Sequence, residues 1–216
     1  SFSSGTKMPE IAVSGDISST QNIDPRMPVE FQINNANKDS YILDIITTPE
    51  FKFTIEEGEN FKIRLVPDFE YTNNESYLVK ILVTPVSYNL KTKEVIEKGS
   101  QIELTTVDFK VAPTPKILGV TPSGGGVLST EDIIVTFETE MNHESVEKGF
   151  KLVPETKGTF EWNEDSTKVT FNPEASLQKE TTYKIILSKN IRTSFGARLV
   201  QNPAELIKDN KDDFIE

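Results

Sequence analysis

The sequence repeats one pattern twice, with matching positions about 106 residues apart. In each half a β-rich strand, an acidic turn and a second strand end at a proline, first over residues 53–67 and again over residues 160–173. A tyrosine follows ten residues after each proline, as Tyr77 after Pro67 and as Tyr183 after Pro173. A repeat of this length indicates two copies of one module, each of ordinary domain size.

Short alternating apolar and polar runs recur along the chain, and helical periodicity is nearly missing, which predicts an all-β fold. In the first half we predict strands at 10–14, 29–33, 41–46, 51–56, 61–66, 77–84 and 102–111. In the second half we predict strands at 117–121, 133–138, 150–153, 158–162, 168–172, 182–188 and 197–200, with a last strand starting near 213–216. Seven strands in about 110 residues are typical of a β-sandwich. The predicted fold class is therefore two tandem immunoglobulin-like β-sandwiches.

One helical turn is predicted at 142–148. Asn142 can cap it, Glu144 favours the positive end of its dipole, and Gly149 suits its exit. The glycine run at 124–126 predicts a turn rather than a phosphate loop, because no Lys-Ser or Lys-Thr pair and no helix follow it.

Two prolines at 113 and 115 interrupt the strand pattern and favour an extended connection between the modules. The predicted organisation is an N-terminal tether over 1–8, a sandwich over 9–112, a proline-rich linker over 113–116 and a sandwich over 117–216. The small polar start, SFSSGT, is typical of a tether that follows an export signal or a lipid-bearing cysteine. A cloning remnant is the alternative interpretation.

Composition excludes several classes of function. The net charge of −11 argues against binding to nucleic acid or to an anionic membrane, because both need clustered Lys and Arg. Without cysteine the chain can form no disulfide, thiolate metal site or thiol nucleophile, and a single histidine removes most triads and multi-histidine sites. No run approaches the ~20 apolar residues of a membrane span.

The repeated tyrosines and prolines are interpreted as structural. A tyrosine that opens a late strand of a sandwich forms a tyrosine corner, with its ring in the core and its hydroxyl bonded to upstream backbone. Tyr77 and Tyr183 are assigned this role, and Pro67 and Pro173 mark the ends of the preceding strands.

Few residues are candidates for chemistry. His143 is interpreted as an exposed residue near the helix cap rather than as a ligand. Asp209, Asp212 and Asp213 resemble a calcium loop, but without the full spacing of an EF-hand a solvated charge run is favoured. Phe160 and Trp162 share one face of a strand, which is interpreted as the core face rather than as a sugar-binding platform. No catalytic residue, metal site or cofactor is predicted, apart from the calcium alternative.

The second module resembles the bacterial Ig-like domain of the SbsA or Big_5 type. The residues that carry the resemblance are the VTPSGGG turn at 120–126, the IIVTF strand at 133–137 with Glu140, Met141 and Asn142, the hairpin over 158–173 and the TTY strand start at 181–183. The sequence departs from the family at Asn142, where aspartate is commoner, and in its acidic tail. The first module is assigned through the internal repeat.

The resemblance implies a spacer or presentation module without an active site, in an extracytoplasmic, surface or lipid-anchored protein. Its partners would be neighbouring domains of the same polypeptide, or a surface protein or glycan. An adhesin-like module that binds carbohydrate or protein is the alternative function. An α2-macroglobulin-like context, a secreted-enzyme context and an enzyme of unrecognised type are further alternatives.

Overall fold

The computed structural model describes residues 10–12, 20–34, 40–59, 62–126, 128, 130–200 and 214–215. These residues divide into two compact units, one within Ser1–Tyr71 and Glu75–Val111 and the other within Thr72–Asn74 and Ala112–Glu216. We refer to them as the first and second modules.

The first module consists of two sheets that enclose an apolar core. Its strands in chain order are β1 (Glu10–Ala12), β2 (Thr20–Ile23), β3 (Val29–Asn34), β4 (Tyr41–Thr48), β5 (Phe53–Glu57), β6 (Lys62–Pro67), β7 (Ser76–Tyr88), β8 (Val95–Lys98) and β9 (Ile102–Val111). One sheet has the order β1-β3-β6-β5, and the other has the order β2-β9-β7-β4, with β8 paired to the end of β7. All pairs are antiparallel except β2 with β9, which is parallel.

The second module repeats this plan. Its elements are β10 (Ile117–Thr121), β11 (Ile133–Phe137), α1 (His143–Gly149), β12 (Phe150–Val153), β13 (Gly158–Trp162), β14 (Lys168–Pro173), β15 (Lys184–Ser188) and β16 (Phe214–Ile215). One sheet has the order β10-β11-β14-β13 and the other has the order β12-β15-β16. In both modules these orders correspond to the ABED and CFG sheets of an immunoglobulin constant-type sandwich. The prediction of two tandem immunoglobulin-like sandwiches is confirmed.

Strand register matches between the modules as well. Leu65 of β6 lies opposite Val29 and Ile55, and Phe171 of β14 lies opposite Ile133 and Phe160. In the other sheets, Ile45 lies opposite Ile81 and Phe150 lies opposite Leu187. Equivalent residues are therefore separated by 104 to 106 positions in most strands.

The register corrects one detail of the repeat. Pro67 lies opposite Phe53, and Pro173 lies opposite Gly158. Phe53 is therefore equivalent to Gly158 rather than to Phe160, and the hairpin of the second module is one residue longer. Gly158 and Phe160 are two residues apart in β13, so this correction does not change which residues of β13 share a face.

Each core is built from the inward positions of facing strands. In β6 the residues Ile63 and Leu65 are buried and the alternate residues Lys62 and Arg64 are exposed. The first core centres on the fully buried Tyr71, whose ring contacts those of Phe51, Tyr77 and Phe109. In the second core Phe150, Phe160 and Phe171 form a cluster of aromatic rings. Alternation of this kind buries one face of each strand.

Helix α1 begins as predicted, but its end differs. The side chain of Asn142 accepts a hydrogen bond from the backbone N–H of Ser145 at 2.9 Å, and Glu144 lies in the first turn. Gly149 does not close the helix in a left-handed conformation. It is required because a Cβ atom there would lie 2.6 Å from Cγ1 of Ile191.

Other predictions of strand extent were wrong. Residues 197–200 form no strand, and β15 starts at Lys184 rather than at Thr182. The segment near Arg198 makes only an isolated bridge with Arg192 while Ala197 and Arg198 are buried. Strands β2 and β8 were not predicted.

Candidate functional site

A cavity of about 770 Å³ lies at one end of the sandwich of the second module. One wall is the turn after β10, where Gly124 and Gly126 have φ values of 84° and 78°. Positive φ is available to glycine without strain, so the glycine run allows this turn to fold back. The opposite wall is the loop between β14 and β15, over residues 177–183.

The floor of this loop-end cavity is apolar. It is formed by side chains from the ends of four strands and from the second wall, namely Val120, Ile133, Leu152, Leu177, Tyr183 and Ile185. The rim is polar and carries Gln178, Lys179 and Glu180. A volume of a few hundred Å³ with an apolar floor and a few polar groups is typical of a site for a small ligand or a single side chain.

Tyr183 orders the second wall. Its hydroxyl oxygen accepts a hydrogen bond from the backbone N–H of Gln178 at 3.0 Å, and its ring packs against the core. The loop between β14 and β15 is therefore tied to the strand that follows it. This contact has the geometry of a tyrosine corner.

Tyr77 lies at the equivalent position of the first module, as the second residue of β7. Its side chain is buried, and its ring stacks on Phe109 with centroids 5.7 Å apart. Pro67 and Pro173 are the last residues of β6 and β14, opposite Phe53 and Gly158. All four residues lie at the boundary between a sheet and the loop that crosses to the other sheet.

A second candidate arrangement surrounds Trp162, the only tryptophan of the chain. The imidazole of His143 stacks on its indole ring, with centroids 4.1 Å apart and planes 7° apart. The indole Nε1–H donates to Oε1 of Glu147 at 2.9 Å, and Nε2 of His143 lies 2.8 Å from Oγ of Ser166. The first turns of α1 are thereby fixed to the hairpin formed by β13 and β14.

The pair of His143 and Ser166 has the spacing of a general base and a nucleophile. A nucleophilic serine also needs a group that orients the imidazole and donors that bind the oxyanion. The carboxylate of Glu147 accepts its hydrogen bond from Trp162, and His143 is exposed. The observed contacts of this arrangement dock helix α1 onto the hairpin.

The predicted faces of β13 are consistent with this geometry. Phe160 and Trp162 both pack against the core of the second module, and Trp162 is only half-buried because it lies at the rim beneath His143.

The calcium candidates Asp209, Asp212 and Asp213 lie outside the described residues. Within the described ranges, no group of three or more His, Cys, Asp or Glu side chains is placed to hold a metal ion. No helix in the part of the chain that the structure describes has the length and apolar character to cross a membrane.

Sequence reasoning missed the loop-end cavity. Its walls come from segments more than 50 residues apart, and each segment alone is an ordinary polar loop. The glycine run was interpreted as a turn, which it is, and Thr182 was interpreted as the start of a strand although it lies in the loop before β15. Nothing in the sequence pattern indicated that these two segments face each other.

The fold and these contacts define a class: a protein built from immunoglobulin-like β-sandwich modules. Residues 111–206 match the family model for Big_5, the bacterial Ig-like domain, and the prediction of this domain type for the second module is confirmed. The match covers less than half of the chain, and the first module lies outside it. No curated protein matches the chain in sequence.

Two solved structures that match illustrate how distant the similarity is. One is the crystal structure of a mouse coronavirus receptor-binding domain complexed with its murine receptor, at 10% identity, with 83% of this chain and 92% of that chain covered and a TM-score of 0.24. The other is that of tandem Ig repeats of Dlar, at 8% identity, with 88% and 92% covered and a TM-score of 0.26. With TM-scores this low, neither similarity bears on the function of this chain.

Proposed function

We propose that this chain is a non-catalytic segment of a larger bacterial cell-surface protein or lipoprotein, in which two Ig-like modules space, stiffen or present neighbouring domains. Domains of the Big_5 family occur in extracellular bacterial proteins, which supports this setting. The observation that carries the proposal is the way the terminal strands of the first module are paired.

Strand β2 lies near the N-terminal end of the first module and β9 lies at its C-terminal end, and the two pair in parallel. Tension along the chain pulls β2 and β9 in opposite directions along their common axis. The hydrogen bonds between parallel strands are then loaded together in shear, whereas an antiparallel terminal hairpin is opened one bond at a time. This pairing is suited to a module that transmits force.

The described residues of the second module contain no counterpart of β2. There β10 pairs with β11 and β16 pairs with β15, both antiparallel, so its terminal strands are not bonded to each other. We therefore expect the first module to unfold at a higher force than the second.

Single-molecule force spectroscopy of the full chain, held at its two termini, tests this expectation. A 20-residue Gly/Ser insert at the exposed turn of Glu164 and Asp165 lengthens the second module by about 70 Å and identifies its unfolding event. The expected result is that the longer event occurs at the lower force. If the two events occur at equal force, or the longer one occurs at the higher force, the load-bearing proposal is wrong.

A matched pair of core truncations isolates the contribution of β2. Ile23 and Ile63 are buried to a similar degree, at 5% and 6% exposure, but only Ile23 lies on the parallel terminal strand. Ile23→Ala and Ile63→Ala should cost similar thermal stability, about 2–4 kcal/mol. Only Ile23→Ala should lower the unfolding force strongly. Equal losses of force would contradict the assignment.

The stiffening part of the proposal depends on the connection through Pro113 and Pro115, which limit the backbone conformations available between the modules. Nitrogen-15 relaxation of the full chain should give one rotational correlation time for both modules. Two distinct and shorter correlation times would show independent tumbling and would restrict the proposal to spacing.

The absence of catalysis is tested at Ser166, since its contact with His143 is the described arrangement closest to a nucleophile pair. A fluorophosphonate probe and an activated ester are the reagents, with Ser166→Ala as the control. No covalent labelling at Ser166 and equal ester hydrolysis by both proteins are expected. Labelling that disappears in Ser166→Ala would establish an enzyme.

The loop-end cavity favours a second candidate function, namely binding of a ligand with an apolar group by an adhesin-like module. Anilinonaphthalene sulfonate is a suitable probe because the floor is apolar and Lys179 lies on the rim. Binding that is lost in Leu177→Asp, with an unchanged unfolding temperature, would support this function. A glycan array on the same two proteins tests carbohydrate ligands, and no signal in either assay would remove this candidate.

A further inference from the structure

Strand β4 ends one sheet of the first module with an unprotected edge. It pairs with β7 over its whole length of eight residues, without a register shift. Among the described residues no strand pairs with its other edge. From Ile42 to Thr48 the strand contains neither proline nor glycine, and Asp44 is its only charged residue.

Other edge strands carry features that prevent pairing with another chain. Strand β8 has a register shift and carries the charged residues Glu97 and Lys98, and β10 has a register shift near Gly119. Strand β5 ends in the exposed Glu56 and Glu57. Bulges, short length and edge charges are the usual protections of a sheet edge, and a long flat edge without them is prone to accept a further strand.

The second module gives an internal comparison. Its equivalent strand, β12, is four residues long and is followed by Pro154. Lys151 of β12 lies opposite Ile186, and the equivalent Ile46 of β4 lies opposite Lys80. The edge position that carries an exposed lysine in the second module therefore carries an isoleucine, 52% exposed, in the first.

We propose that the β4 edge is a self-association surface, at which β4 pairs antiparallel with β4 of a second copy of this chain, centred on Ile45. In this register Asp44 lies opposite Ile46 of the other copy, and Leu43 lies opposite Thr47. No like charges face each other across the new pair. The contact is isologous, so both edges are satisfied at once and the assembly closes as a dimer.

Burial supports a strand as the occupant. Leu43 and Ile45 face the core but are only partly buried, and no strand in the described ranges covers this edge. An added strand would cover both of them and the exposed side of Ile46. It would also supply partners to the backbone N–H and C=O groups along the edge. A second copy brings an edge of the same length and the same lack of charge.

The test is sedimentation velocity of the full chain between about 5 and 500 µM, because a single strand pair is a small interface and gives a weak dimer. Two substitutions at one exposed position differ only in the sign of the charge. Ile46→Glu puts glutamate opposite Asp44 of the other copy twice per dimer, while within its own sheet it faces Lys80, which favours the fold. Ile46→Lys puts lysine opposite the same Asp44.

We expect the parent chain to shift from monomer to dimer across this range. Ile46→Glu should weaken dimerisation at least tenfold, and Ile46→Lys should leave it unchanged or strengthen it. Lys157→Gln, an exposed change in the second module that lowers the net charge by one as Ile46→Glu does, controls for net charge and should have no effect. A parent chain that remains monomeric at 500 µM overturns the proposal. So does a dimer that responds equally to Ile46→Glu and Ile46→Lys, or to neither.

Discussion

Gly158 of β13 tests how closely the hairpin of the second module is packed. A Cβ atom at this position would lie 2.4 Å from Cζ and 2.6 Å from Cε2 of Phe171, and 2.5 Å from the carbonyl oxygen of Asn172. Carbon atoms in contact are normally about 3.5–4.0 Å apart, so the Phe171 ring or the strand must move by about 1 Å to admit an alanine.

The cost of Gly158→Ala follows from these contacts. Overpacking of this kind costs about 1–3 kcal/mol, and the backbone contact with Asn172 places this case near the upper end. Removing a glycine restricts the unfolded chain and returns about 0.4–1 kcal/mol. The expected net loss is about 2 kcal/mol, which lowers the unfolding temperature of a module of this size by about 10 °C.

Trp162 makes the measurement specific to the second module, because it is the only tryptophan of the chain. Its fluorescence reports unfolding of that module, whereas far-UV circular dichroism reports both. Gly119→Ala is the control, since a Cβ atom on Gly119 of β10 meets no atom within 4 Å. The control should change the stability by less than about 0.5 kcal/mol.

A double-mutant cycle identifies the source of the cost. Two of the three close contacts are with ring atoms of Phe171, so the Phe171→Leu background should reduce the cost of Gly158→Ala by about 1 kcal/mol. The reasoning is refuted if Gly158→Ala unfolds at the parent temperature, or if its cost is the same in both backgrounds.

Three further outcomes are expected. Tyr183→Phe removes the acceptor of the Gln178 N–H and should cost the second module about 1 kcal/mol by tryptophan fluorescence, with the first module unaffected. Asn142→Ala removes the cap of α1 and should cost about 1 kcal/mol in the same assay, and Asn142→Asp should recover most of it. Burial raises the pKa of the Tyr71 hydroxyl, so the folded state favours the neutral hydroxyl. Below about pH 10 tyrosine is neutral in the unfolded chain as well, and the stabilisation by this hydroxyl is fully present. As the pH rises further the unfolded chain loses this proton more readily than the folded one, and the stabilisation is lost. Urea titrations from pH 8 to 11.5 should therefore show a steep loss of stability above pH 10 that is shallower in Tyr71→Phe, and equal slopes would contradict the assignment.

The repeated prolines and tyrosines made the sandwich topology predictable from sequence. Pro67 and Pro173 end equivalent strands, and Tyr77 and Tyr183 lie where the next strands begin. These residues mark the crossing between sheets, where backbone geometry restricts the choice of residue. The other predicted strands were located by the alternation of apolar and polar residues, which has a period of two.

The missed strands depend on partners that a local pattern does not reveal. Strand β2, with the sequence TQNI, has little strand propensity and forms because the edge of β9 is available to it. Strand β8 is wholly exposed and exists because β7 extends to Tyr88 and offers a partner. Conversely, residues 197–200 look like a strand, but Ala197, Arg198 and Leu199 lie buried without a sheet neighbour, apart from the isolated bridge of Arg198. In each case tertiary pairing overrides local propensity.

The sites were less predictable than the fold. The cap of α1 was predictable because Asn142 and Ser145 are three residues apart. The contacts of Trp162 with His143 and Glu147, in contrast, join residues that are 15 or more positions apart in sequence. The loop-end cavity and the β4 edge instead depend on which loops meet and which strand ends a sheet. Both are properties of the assembled sandwich, and they cannot be predicted from the amino-acid composition.

The pair of Ile46 and Lys80 in the first module is equivalent to the pair of Lys151 and Ile186 in the second, with the charged and apolar residues on opposite strands. This difference bears on how adjacent copies of one fold avoid misfolding by strand exchange. During synthesis the two modules expose strands of the same topology and register, which is the condition under which tandem repeats exchange strands. Pairing β12 with β7 by mistake would put Lys151 opposite Lys80, and pairing β4 with β15 would leave Ile46 opposite Ile186 without a charged partner on either side. The correct pairs each join one charged and one apolar side chain, so the sequence distinguishes native from exchanged strands although the backbones are alike.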